Sequence, residues 1–181
     1  MCGKWAQLLK EAAPNVTRAA VVYNPRTAPY AASYLRAIEA VATSTAVKVT
    51  TALVHDVVEI EAAFGAHALE KGGGLIIMTD AFTSVHRREI IKAATQFGLP
   101  AIYPYRYYAA DGGLVSYEID QVEQFRGTAV YIDRILKGEK PGDLPVQGQT
   151  KFDLVINLET ANEMGFNIPP QLLALADEVI E

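Results

Sequence analysis

The sequence predicts an α/β fold built on a doubly wound parallel sheet of flavodoxin-like or Rossmann-like order, and two features predict it. Continuous apolar runs recur, RAAVVY at 18–23 and GLIIM at 74–78, as expected of strands buried on both faces. Between them lie amphipathic stretches of helical period. Strands alternating with helices at this spacing require crossover connections, and hence parallel pairing.

The elements follow in order. Residues 4–12 read as a helix with Trp5, Leu8, Leu9 and Ala12 on one face, stopped by Pro14 and Asn15. After the strand at 18–23, the turn from Asn24 to Pro29 leads into an alanine-rich helix over about 30–43, with Tyr34, Leu35 and Ile38 facing inward. The β-branched stretch 47–54 is a second strand, and 57–71 a helix closed by Gly72-Gly73-Gly74. After the strand at 74–78, a single helix is expected from about Ser84 to Phe97, then a short strand at 99–103. Beyond residue 108 the pattern changes. A strand at 114–118 precedes a long helix over 121–137, capped by Asp120 and striped with Val122, Phe125, Ala129, Ile132 and Leu136. A strand at 152–156 and a short helix capped by Asn157 or Thr160 follow. Pro169-Pro170 then opens a terminal helix expected over 171–180.

The chain has 181 residues and a net charge of −5, with basic residues scattered rather than striped, which argues against a nucleic-acid partner. One cysteine, Cys2, excludes an internal disulfide. It reads as a scar of truncation rather than a lipid anchor, since no apolar leader precedes it. No run of 18 apolar residues or signal peptide is visible.

In an open parallel sheet, ligands sit at the carboxyl ends of the strands. The residues there are Tyr23, Asn24 and Thr27, then His55 and Asp56, then Thr79, Asp80 and Phe82, then Tyr103, Tyr105 and Arg106. Aromatic faces and hydrogen-bonding groups of this kind can clamp a small polar molecule. Asp80 ends an apolar strand and is a candidate partner for a ligand ammonium, or else an N-cap, although Thr83 or Ser84 reads as better placed for that. Arg106 and the helix start at Thr27 could meet a carboxylate. His55, His67 and His86 lack the spacing of a metal set. No dinucleotide, phosphate-loop or nucleophile-elbow motif is present, and no catalytic residue, metal or cofactor is expected.

At 99–117 (LPAIYPYRYYAADGGLVSY), 125–147 (FRGTAVYIDRILKGEKPGDLPVQ), 150–165 (TKFDLVINLETANEMG) and 168–181 (IPPQLLALADEVIE), the chain closely resembles the solute-binding proteins of ABC importers, in the tryptophan/tyrosine-type branch. GKWAQLLKEAAPNVTRAAVVYNP and HRREIIKAATQFGLP fit the same pattern. The resemblance implies two α/β lobes of a type I periplasmic-binding-protein fold closing on a solute. It implies capture of an amino acid or similar solute, delivery to permease subunits, and a periplasmic location. It matches only the second lobe and tail: 1–116 as the lobe, 117–150 as hinge and a helix for the missing first lobe, and 151–181 as crossing strand and tail. Either a fragment or a shortened gene product is expected. With the 121–137 stripe left bare, it is expected to form a homodimer. Carried over position by position, Tyr23-Asn24-Pro25 matches the first loop of the family's second lobe, Thr79-Asp80 stands where Pro-Asp-Pro is usual, Tyr103 to Arg106 matches a cleft-side segment, and Ser116-Tyr117 matches a hinge segment, with Tyr117 expected at the ligand. That last pair usually continues with glycine, and Glu118 stands there instead. The alternatives are a small-molecule-sensing regulatory domain of the same fold and, more remotely, an α/β enzyme.

Overall fold

The computed structural model describes residues 2–148 and 151–181. The expected boundary at 150/151 and the side chain of Cys2 lie outside the described residues. Seven strands form one sheet: β1 (Arg18–Tyr23), β2 (Lys48–Leu53), β3 (Gly73–Ile77), β4 (Ala101–Tyr103), β5 (Val115–Ile119), β6 (Phe152–Asn157) and β7 (Glu178–Ile180). The spatial order is β2-β1-β3-β4-β5-β6-β7. The first five strands are mutually parallel, which is the flavodoxin-like order expected. β6 pairs antiparallel with β5, and β7 runs parallel to β6.

The helices are α1 (Cys2–Ala12), α2 (Ala31–Ala42), α3 (Val57–Ala68), α4 (Ala81–Val85), α5 (Arg87–Gln96), α6 (Arg106–Ala110), α7 (Gln121–Leu136), α8 (Leu158–Glu163) and α9 (Pro170–Leu173). Helices cover the sheet on both sides, so each of the inner parallel strands β1, β3 and β4 is apolar along almost its whole length. Its side chains alternate between two cores. Val21, Ile76, Met78, Ile102 and Ile156 pack with Trp5, Leu8 and Leu9 of α1 and Ile38 of α2. Val22, Leu75, Ile77 and Tyr103 pack with Ile60 and Phe64 of α3 and Ile90 of α5. β2, at the sheet edge, is largely exposed, and Lys48, Thr50 and Thr51 keep it polar.

Four stretches differ from expectation. The helix expected over 84–97 is two helices that meet at His86, because the Asp80 side chain caps an earlier start by accepting from the Thr83 N–H. Residues 106–110, to which the sequence assigned no element, form the short helix α6. The terminal helix expected over 171–180 is confined to Pro170–Leu173, and Glu178–Ile180 is a strand. Long-range pairing decides this. Asp177 donates its N–H to the Leu154 carbonyl at 2.9 Å, and its carboxylate accepts from the Leu154 N–H at 2.8 Å. Together they lay the tail along β6. The helix expected over 57–71 stops at Ala68, and the chain turns at Gly72 with φ 74°, where a Cβ would approach Thr17 Oγ1 to 2.5 Å.

α7 stands apart from both cores. None of its residues is buried, and Phe125 is 73% and Leu136 82% exposed. It forms because Asp120 accepts from the Glu123 N–H at 3.1 Å and because Glu123–Arg126 and Asp133–Lys137 pair along its surface.

Trp5 joins α1 to the segment that leads into α7. It is fully buried, and its indole N–H donates to the Tyr117 carbonyl at 2.9 Å. Trp5→Ala is expected to cost about 3–5 kcal/mol of unfolding free energy, read from urea denaturation, because it leaves a large cavity and an unpaired carbonyl.

Candidate functional site

At the carboxyl ends of β1 and β3 the sequence places a hydrogen-bonded knot. Asp80, 3% exposed, accepts from the Asn24 N–H at 3.0 Å, the Thr27 hydroxyl at 2.9 Å and the Thr83 N–H at 3.0 Å. One carboxylate thereby caps α4 and holds the turn after β1 against the turn after β3. Asn24 is itself buried, and its side-chain oxygen accepts from the Arg26 N–H at 2.9 Å.

Beside this knot lies a cleft of about 250 Å³ that opens over the ends of β3, β4 and β5. Its walls include Tyr34 of α2, Thr79 after β3, Pro104 and Tyr105 after β4, Glu118 in β5 and Gln124 of α7. The Tyr30 hydroxyl donates to the Thr79 carbonyl at 2.7 Å, and the Tyr30 and Tyr34 rings meet at 5.4 Å. Glu118 is 7% exposed. Its Oε1 accepts from the Arg106 N–H at 2.6 Å, whereas its Oε2 is buried without a hydrogen-bond partner. Burial raises the Glu118 carboxyl above its ordinary range, and the negative charges of Asp153 and Asp120 add to this. The Arg106 N–H and guanidinium oppose it. Burial likewise raises the Tyr105 phenol.

A larger recess of about 380 Å³ lies near the amino ends of the strands, bounded by Pro14, Asn15, Gly72, Gly98 and Pro100. Its walls are turns, with no charged side chain, so the cleft at the carboxyl ends is the better-equipped site.

Nine of the residues expected at the rim or, like Tyr117, from the resemblance divide by what they touch. Thr79 and Tyr105 line the cleft. Asn24, Thr27 and Asp80 make the knot at its edge. Tyr23 and Tyr103 are buried in opposite cores, with Tyr103 1% exposed and stacked on Tyr108 at 5.1 Å. Arg106 forks onto Glu178 of β7 at 2.7 and 2.5 Å. Tyr117 stacks on Phe152 at 5.4 Å. The dense tyrosines of 103–108 stack largely on one another, Tyr105 on Tyr107 at 5.2 Å and Tyr107 on Tyr108 at 5.1 Å. Tyr34, Gln121 and Gln124 are cleft residues that the strand-end rule missed, because they come from helices. Among the described residues, no group of three His, Cys, Asp or Glu side chains is placed to hold a metal ion.

The fold and cleft define a class: an α/β lobe that offers a ligand-sized recess at the carboxyl ends of its parallel strands. The chain belongs to the ABC transporter substrate binding protein family, whose model matches residues 2–180. Among solved structures it is similar to a conserved domain protein from Vibrio cholerae O1 biovar El Tor, at 30% identity and a TM-score of 0.85, over 98% of this chain and 60% of that one. It shares its fold with an ABC domain from Streptococcus pneumonia in complex with L-Trp, at 24% identity and a TM-score of 0.86, over 99% of this chain and 60% of that one. It also shares it with the ligand-free, open form of a substrate binding protein with adhesive properties from Clostridium difficile, at 20% identity and a TM-score of 0.73, over 98% of this chain and 59% of that one. The chain thus spans about 60% of the length of these solved relatives. Among curated proteins no match is found.

Two outcomes follow from this geometry. Asp80→Ala removes three hydrogen bonds and a helix cap, and is expected to lower stability by about 2–4 kcal/mol in urea denaturation. Glu118 gives a pH signature. Its folded carboxyl is raised, so its contribution to stability is full at acid pH and is lost as pH rises from the ordinary carboxylate range through the raised value. Glu118→Gln should therefore match wild type at low pH and become increasingly the more stable of the two towards neutrality. Acid losses at Asp120, Glu139 and Glu178, whose carboxyls are lowered by hydrogen bonds to Lys151, Arg134 and Arg106, occur in both proteins and cancel in the difference. Urea midpoints across pH 4–7 read this directly.

Proposed function

We propose that this chain is the solute-gripping lobe of an ABC importer's substrate-binding protein, holding a small polar solute such as an amino acid and passing it to permease subunits outside the cytoplasmic membrane. The observation that carries this reading is the cleft over β3, β4 and β5, where aromatic, amide and carboxyl side chains converge at the sheet edge that α/β folds use for ligands. Family membership and the likeness to a domain solved with L-Trp support it. In this reading the chain binds and releases its solute without chemistry, and Thr79, Tyr105 and Tyr34 make the contacts. Asn24, Thr27 and Asp80 keep the rim in place, while Tyr23, Tyr103, Arg106 and Tyr117 support it from behind. Residues 1–116 are the lobe, 117–150 hinge and helix, and 151–181 crossing strand and tail.

The bare face of α7 belongs to the same proposal. Val122, Phe125, Ile132 and Leu136, which share one side of the helix, are all more than half exposed. Burying one such side chain is worth about 1.5–3 kcal/mol, and a patch of several rarely stays open to water. We propose that a second copy of this chain covers it, in a homodimer.

A thermal-shift screen of amino acids, purines and sugars tests the binding reading. An amino acid is expected to raise the melting temperature saturably, with no turnover, and Tyr105→Ala to weaken the response; no response from any class would refute the reading. For the dimer, light scattering at micromolar concentration should give twice the chain mass, falling to one chain mass in Phe125→Asp. A monomeric wild type would disprove the dimer.

A further inference from the structure

We infer that Glu118 is the specificity-determining residue of the cleft, and that the site selects solutes by a protonated nitrogen, an alkylammonium or similar cation, that pairs with the buried carboxylate. This rests on the solute-binding reading above and names the chemical class that the cleft takes.

The argument starts from an incomplete set of partners. A buried carboxylate is costly unless both oxygens are hydrogen-bonded or paired. Glu118 Oε1 has the Arg106 N–H, and Oε2 has no partner. The nearest cation is already committed, since the Arg106 guanidinium forks onto both oxygens of Glu178. Lys151 pairs with Asp120 at 2.6 Å. The remaining charges around Glu118, Asp120 after β5 and Asp153 on β6, are negative and raise its carboxyl further; Tyr105 and Tyr107 of the same rim carry no positive charge. The cleft thus has one charged wall residue, Glu118, and no lysine or arginine.

Such a site is complementary to a small cation and lacks a counter-charge for a carboxylate. Tyr34 and Tyr105 supply aromatic faces of the kind that stabilise an ammonium group, and Gln121 and Gln124 supply amide oxygens for its remaining hydrogens. An ammonium entering the cleft would satisfy Oε2 with a charge-assisted hydrogen bond and favour the ionised form of Glu118.

The test uses the full chain and two matched sets of probes: L-tryptophan, tryptamine and indole-3-propionate, and L-leucine, isoamylamine and 4-methylpentanoate. Calorimetry is run on wild type and Glu118→Gln. In at least one set, both amine-bearing members should bind wild type about tenfold or more tightly than the deaminated acid, and Glu118→Gln should erase that preference. Carbon-13 NMR of labelled glutamate carboxyls in wild type gives a second readout that needs no variant. The Glu118 titration should move to lower pH on adding the preferred amine and stay put with its deaminated partner. Equal affinity for amine and acid, a preference that survives in Glu118→Gln, or a Glu118 titration indifferent to the amine would overturn this inference while leaving solute binding intact. If none of the six binds wild type at millimolar concentration, this inference falls, and the wider thermal-shift screen of amino acids, purines and sugars decides whether the solute-binding reading falls with it.

Discussion

Covering a parallel sheet on both faces leaves a chain few places to keep polar groups. Beyond Arg18, the side chains of β1, β3 and β4 enter one of two cores, so hydrogen-bonding residues collect where the strands end. The loops there must be satisfied internally or face a ligand. Asp80 meets the first demand. Its carboxylate draws together the backbone of Asn24, the hydroxyl of Thr27 and the first turn of α4. Without such a tie, the loops that flank the cleft would lack a fixed separation.

Next to this saturated acid stands one that is not. Asp80 and Glu118 are both almost fully buried carboxylates at the same sheet edge. Asp80 has three donors within the chain, and Glu118 has one donor and a bare oxygen. Their partners, rather than their burial, separate a structural acid from a recognition acid. The same distinction holds among the bases, since Arg106 spends its fork on β7 and becomes a fastener for the tail.

α7 shows the opposite imbalance. Its caps and surface ion pairs suffice for a helix, yet its apolar side chains find no core within the described residues. That unburied stripe is the face that the proposed homodimer would cover.

The sequence by itself determined the sheet's class and where its first five strands lie along the chain, because two-sided burial writes short apolar runs between helical stretches, whereas the choice between flavodoxin-like and Rossmann-like order came from the tertiary structure. It also marked the carboxyl-end loops, which are a local pattern, while Glu118 stood out only through the resemblance to a family that usually has glycine there. Only the tertiary structure decided which of those loop residues face the cleft. Side-chain alternation in β4 turns Tyr103 into a core, Arg106 is claimed by Glu178 from 72 positions away, and Tyr34 reaches the cleft from a helix. It also made a strand of Glu178–Ile180, where propensity favoured a helix, because two hydrogen bonds between Asp177 and Leu154 dock the tail on β6. Those outcomes depend on partners distant in sequence, and a local pattern carries no record of them.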